Sequence, residues 1–244
     1  MITIYPYEAL GGADHGWLKA RHHFSFADYH NPDRMGFGTL RVINDDWIAA
    51  GKGFNPHPHT DMEIITYVRE GAITHRDSMD NEGRTAAGDV QVMSAGTGVV
   101  HSEFNREEVD TNLFQIWIYP NQLGVTPRWE AREFPKAPVE NALLPLASGR
   151  AEDIKAGALM IHQDATIYGG RLKAGQSLAH PITYQAYLLV SEGEITLDGT
   201  PMKKGDGAEV TGQREVTLSA TTEAEILLLD VPPYTSSASR NFSP

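Results

Sequence analysis

Two short segments hold the residues best suited to chemistry: His57 and His59 in FNPHPHTDME, and His101 and Glu103 in GTGVVHSEF. Each pair is spaced i, i+2. In an extended strand alternate side chains leave the same face, so each pair points in one direction. Two such strands lying side by side would bring three imidazoles and a carboxylate to one point. That donor set holds Fe, Mn, Co, Ni, Cu or Zn, which makes a single divalent transition metal the first expectation. Glu63 competes with Glu103 for the carboxylate position. It lies at i+4 from His59 and shares that face only if the strand runs without a break, whereas Glu103, at i+2 from His101, needs no such continuity.

The elements that must position these residues read as strands. Helical signals are sparse, and short runs rich in Val, Ile, Tyr and Trp recur between Gly, Asn, Asp and Pro, the pattern of an antiparallel β protein. Strands are expected at residues 39–48, 63–69, 73–77, 89–94, 99–103 and 113–119, with turns at Arg69-Glu70-Gly71 and Ala87-Gly88-Asp89. The second half repeats the theme more weakly, at residues 158–162, 165–172, 186–191, 194–197, 215–219 and 225–230. Val190-Ser-Glu-Gly193-Glu-Ile195 echoes Val68-Arg-Glu-Gly71-Ala-Ile73, and Lys204-Gly205-Asp206 echoes Ala87-Gly88-Asp89. Two copies of one β module follow, residues 1–135 and 136–244. The proline-rich stretch 120–145 reads as a surface connector with one short strand or helix near residues 129–134. The Ser- and Pro-rich tail 232–244 is expected to be poorly ordered unless docked.

Composition narrows the function classes. The 244 residues are 41% hydrophobic and 9% aromatic, enough for a packed core and unlike a disordered chain. Lys and Arg total 20 against 32 Asp and Glu, a formal charge of -12 that repels phosphate backbones. The densest basic pairing, Lys203-Lys204, reads as a turn, so no nucleic-acid partner is expected. No apolar run approaches a bilayer span and the N-terminus lacks a signal-peptide pattern, so neither a membrane nor export is expected, and the cytoplasm is the simplest location. Cysteine is absent, which excludes disulfides and leaves N and O donors for a metal.

The motif spacings resemble the cupin superfamily. Gly51-x5-His57-x-His59-x3-Glu63-x7-Gly71 is similar to the first cupin motif, with one extra residue before its last glycine, and Gly88-x7-Gly96-x-Gly98-x2-His101 to the second. Within cupins, His23-Phe-Ser-Phe26, Leu40 to Asp45, Pro56-His-Pro-His59, His75-Arg-Asp-Ser78 and Ala95-Gly-Thr-Gly98-x2-His101-Ser-Glu103 resemble the pirin family, closest to bacterial pirin-like quercetin 2,3-dioxygenases. The likeness is dense over about residues 15–130 and thinner beyond. It implies an all-β bicupin of two antiparallel jelly-roll barrels. The first would bind one metal, iron foremost, through His57, His59, His101 and Glu103. The second has a lone His180 in Ala179-His180-Pro181, so it should be metal-free, with His180 structural or at an interface.

The resemblance also implies an activity: dioxygen opens the heterocycle of a flavonol such as quercetin with loss of carbon monoxide, and Glu103 accepts the substrate proton. A metal-dependent regulator that binds a protein partner and a non-oxidative cupin enzyme are the alternatives; a pocket rich in Lys and Arg would favour the latter. Other residues take plainer roles. Phe24, Phe26, Tyr29 and Phe37 read as core before cavity lining, as do Phe104, Phe114 and Trp117. His22, His23 and His30 read as structural or supporting residues, and His75, alternating with Ile73 and Asp77, could point toward the site.

Overall fold

The computed structural model describes residues 1–234; the expectation for the end of the tail, residues 235–244, lies outside the described residues. Almost every element is a strand, and the one α-helix among the described residues is the short Ala151–Lys155 segment. The strands form two modules, each a seven-stranded sheet facing a four-stranded sheet. Each module is therefore an open jelly-roll sandwich rather than a single closed barrel. Among the described residues the strands pair antiparallel except Leu144–Ser148 and Leu159–Met160, which run parallel, and Pro138 makes an isolated parallel bridge to Arg171.

In the first module the large sheet has the order Arg128–Arg132, Val90–Ser94, Glu63–Glu70, Thr111–Ile118, Leu40–Ile48, Leu18–His22, Gly11–Asp14. The small sheet has the order Gly53–His59, Val99–Phe104, Ala72–Asp77, Glu82–Ala86. The second module repeats this plan, with Gln185–Glu192, Ala224–Val231 and Thr166–Leu172 central in its large sheet. The shared Glu-Gly step makes the same corner in both modules: Gly71 has φ +71° and Gly193 has φ +77°, backbone that a side chain would strain.

Strand alternation sorts the side chains. In the large sheet of the first module Ile43, Ile65, Tyr67, Phe114 and Ile116 face outward. They pack against Ile167, Tyr187, Leu189, Leu227 and Leu229 of the second module in one continuous core. The alternate residues, including Asn44, Asp46, Thr66 and Gln115, face the first module's interior. Arg69 is buried in the seam between modules, paired with Asp45 at 2.7 Å and donating to Ser191 Oγ at 3.1 Å. The terminal strand Ile2–Tyr5 joins the second module's sheet beside Gly207–Val210, while Arg128–Arg132 closes the first module's sheet beside Val90–Ser94. The connector thus supplies a strand where the sequence left strand or helix open. We propose the module boundary near residue 135, with the chain's first strand lent to the second unit.

Candidate metal centre

The Gly53–His59 and Val99–Phe104 strands pair so that His101 stands opposite His57 and Val99 opposite His59. The register shifts between His101 and Glu103, which sets Glu103 against Phe54. The strands close tightly there because residue 53 is glycine: a Cβ would lie 2.2 Å from the Glu103 carbonyl oxygen. The ring nitrogens available on His57, His59 and His101 lie within 4.8 Å of one another. His75, His101 and Glu103 form a second such group, so His101 belongs to both.

The hydrogen bonds fix which nitrogens are free. His57 Nδ1 lies 2.7 Å from the Asn55 carbonyl oxygen, to which it can only donate, leaving Nε2 with a lone pair. On the other strand, Asp77 Oδ2 accepts from His75 Nε2 at 3.0 Å. With Nε2 donating to Asp77, His75 can offer Nδ1 as an acceptor, and His101 Nδ1 donates to it across a long 3.4 Å contact. His101 Nε2 is left deprotonated. It is buried and has no hydrogen-bond partner. A buried nitrogen lone pair beside two further imidazoles is a donor set that suits a cation, so the residues fit a metal.

Electrostatics point the same way. Burial, reinforced by the neighbouring His57 and His75 rings, lowers the His101 imidazole to about 3. Burial, with His101 and His57 close by, lowers His59 to about 4. Both rings are neutral at pH 7, as ligation requires. At Asp77 burial raises the carboxyl, but hydrogen bonds from His75 and Asn81 outweigh it and hold it below its ordinary value. The His75 ring is clamped flat against Trp129, with centroids 4.9 Å apart and planes 7° apart.

The two competing carboxylates part company. Glu103 is buried and accepts from Gln91 Nε2 at 2.6 Å, Gln115 Nε2 at 2.8 Å and Thr66 Oγ1 at 3.3 Å. Glu63 belongs to neither group of converging ligands. The strand breaks after His59, where Asp61 turns with φ +47°, and Glu63 opens a new strand. Its carboxylate accepts from Ser94 Oγ at 2.8 Å, and burial raises it to about 7.

A cavity of about 590 Å³ opens beside the imidazoles. His57, His59, His101 and Glu103 line it together with Leu18, Phe26, Phe54, Ile64 and Trp117. Trp117 stands edge-on to His59 at 5.0 Å and to Phe26 at 5.5 Å. The aromatic expectations therefore divide. Phe24, Phe37 and Phe114 are core. Trp117 lines the cavity because its position on the Thr111–Ile118 strand faces inward, and Phe26 reaches it from the loop after Leu18–His22, where it bridges Tyr29. Tyr29 stacks on His22, whose Nδ1 lies 2.8 Å from Asn44 Oδ1 at the cavity wall. His23 is buried against Tyr187 between the modules, and His30 is exposed.

The comparisons with known proteins follow this geometry. The pirin family model matches residues 5–118, and a model described as the quercetinase C-terminal cupin domain matches residues 146–231. This chain belongs to the pirin family. A pirin-like protein of Caulobacter vibrioides is 49% identical over 232 residues, covering 94% of this chain and 99% of that one. The quercetin 2,3-dioxygenase of Escherichia coli K12 is 41% identical over 236 residues, covering 96% of this chain and all of its own. The crystal structure of the Escherichia coli pirin YhhW with nickel(II) superposes with a TM-score of 0.88 at 41% identity, covering 96% and 100% of the two chains.

Sequence reasoning missed several residues of this pirin's site. Thr66, Gln91 and Gln115 hold Glu103, and Asp77 orients His75. Each of the first three is a lone polar residue inside an apolar strand run, as in Ile-Ile-Thr-Tyr-Val, Val-Gln-Val and Leu-Phe-Gln-Ile. That interruption was the available signal.

Proposed function

We propose that this pirin is a metal-dependent dioxygenase of flavonols such as quercetin. Both atoms of dioxygen enter the product, one heterocycle carbon leaves as carbon monoxide, and a depside remains. His57, His59, His101 and Glu103 would hold one divalent transition metal, iron before Mn, Co, Ni, Cu or Zn. Bound there, the ion supplies Lewis acidity that favours the ionised flavonol and a common meeting point for both reactants. The observation that carries this reading is the buried, unpartnered His101 Nε2 at the wall of an aromatic-lined cavity. The names of the curated relatives and the nickel(II) complex of the Escherichia coli pirin support it.

The chain's own residues would divide the remaining tasks. Glu103 accepts the 3-hydroxyl proton from a position held by Gln91, Gln115 and Thr66, so the base does not wander between turnovers. Phe26, Phe54 and Trp117 offer faces and edges to a planar ring system and keep water from the reacting carbons. No Lys or Arg lines this cavity among the described residues, which counts against a non-oxidative enzyme acting on anionic sugars. Quercetin in air tests the proposal. Metal-loaded protein should bleach the flavonol absorbance, consume oxygen and release carbon monoxide, and a chelator should abolish all three. Loss of quercetin at the same rate in chelated protein and in His59→Ala would be autoxidation, and a regulatory role in binding a protein partner would then replace this reading.

A further inference from the structure

We infer that Asp46 is a specificity residue: its carboxyl reads a hydroxyl group on the aromatic substrate that enters the cavity. This rests on the flavonol reading and adds to it which substrates the site prefers. Asn44 and Asp46 alternate on the Leu40–Ile48 strand, and both line the cavity. Their rows differ. Asn44 lies in register with His22 and Gln115. All three of those polar side chains are committed, Asn44 to His22 at 2.8 Å and Gln115 to Glu103 at 2.8 Å. Asp46 lies in register with Ala20 and Leu113, which offer its side chain nothing polar. It is 3% exposed, and its Oδ1 is buried with no hydrogen-bond partner.

An orphaned carboxyl oxygen in a protein interior is costly and is kept where something else satisfies it. Its position is fixed, since Asn112 Nδ2 bonds both Asp45 Oδ1 at 2.7 Å and the Asp46 carbonyl oxygen at 3.1 Å. Arg69 anchors Asp45 from the other side of the sheet. Burial, with the Asp45 and Glu103 carboxylates close by, raises the Asp46 carboxyl well above its ordinary value. A carboxyl accepts a hydrogen bond from a phenolic hydroxyl in either protonation state, and as a neutral acid it donates one as well. The ligand class is a planar aromatic bearing ring hydroxyls. A ring without them would leave Asp46 unpaired and bind more weakly.

The test compares quercetin with 3-hydroxyflavone, which keeps the reacting hydroxyl and lacks the ring hydroxyls. Binding is read by quenching of tryptophan fluorescence, with and without metal, and turnover by kcat/KM. The wild-type protein should prefer quercetin by about tenfold or more. Asp46→Leu should bring that ratio close to one, and Asp46→Asn, which keeps a donor and an acceptor, should retain most of it. Asp46→Ala gives the same ratio should the leucine variant not fold. An unchanged ratio in Asp46→Leu or Asp46→Ala overturns the inference while leaving the flavonol reading intact. If wild-type protein binds neither compound, both fall together.

Discussion

The two modules share one framework and fill it oppositely. Thr66 pairs with Gln91 on one side and Gln115 on the other, and these side chains surround Glu103. Counting from Gly193 as from Gly71, the corresponding residue is Leu188, which pairs with Ala208 and Leu228. On the small sheets, His57 stands opposite His101 in the first module, while Leu178 stands opposite Leu218 in the second. The second interior is accordingly a continuous apolar cluster, whereas the apolar clusters inside the first are small. The same ladders can therefore hold a dry core or a polar site. The polar version is tolerated because Glu103 is met by Gln91, Gln115 and Thr66, and because the core between the modules and the second interior supply the apolar burial.

Exchanging side chains across this correspondence should break it with the largest effect. Leu228→Gln puts an unpartnered amide into the apolar interior and should cost about 3 kcal/mol, read as the urea midpoint. Gln115→Leu removes one donor to Glu103 and one acceptor for Thr66 Oγ1, and should cost the fold less than Leu228→Gln while weakening metal retention. Glu103→Gln should lower metal affinity by about a hundredfold and abolish flavonol turnover, while Glu63→Gln keeps its metal. A metal competition titration on both variants decides this, and the reverse result would exchange the two carboxylates. Asp77→Asn should cost about tenfold in metal affinity, since His75 then no longer holds the His101 tautomer. The nitrogen-15 shifts of His101 in metal-free protein would report that change directly.

The last effect leaves the metal site untouched and concerns pH and the outward face. Burial raises the Glu63 carboxyl to about 7 from an ordinary value of 4.5. The folded state therefore holds a proton that the unfolded state has released. This contribution is complete below the ordinary value and is lost as pH rises to 7 and beyond. Glu63→Gln should flatten the fall in thermal midpoint between pH 5 and about 8, a difference on the order of 3 kcal/mol. The midpoint at pH 5 should scarcely change.

The all-β class, the repeat and the corners at Gly71 and Gly193 were legible because period-2 patterning and glycine turns are local signals. The convergence of His57, His59 and His101 was legible for the same reason. Short or glycine-rich strands such as Gly11–Asp14, Glu82–Ala86 and Ser177–Pro181 carry no such pattern, and only pairing with neighbours makes them strands. The exclusion of Glu63 from the imidazole cluster turns on the backbone at Asp61, where an aspartate adopts a positive φ that spacing does not reveal. Trp117 reads as core by type. Its strand parity places it against His59, and parity is known only once Phe114 and Ile116 are seen to face the second module.

Elemental analysis of fully loaded protein tests the central claim most directly. The wild-type chain should hold close to one transition metal, His101→Ala close to none, and His180→Ala, altered at the small-sheet histidine of the second module, close to one. Two tightly bound ions in the wild type, or full occupancy in His101→Ala, would contradict the account.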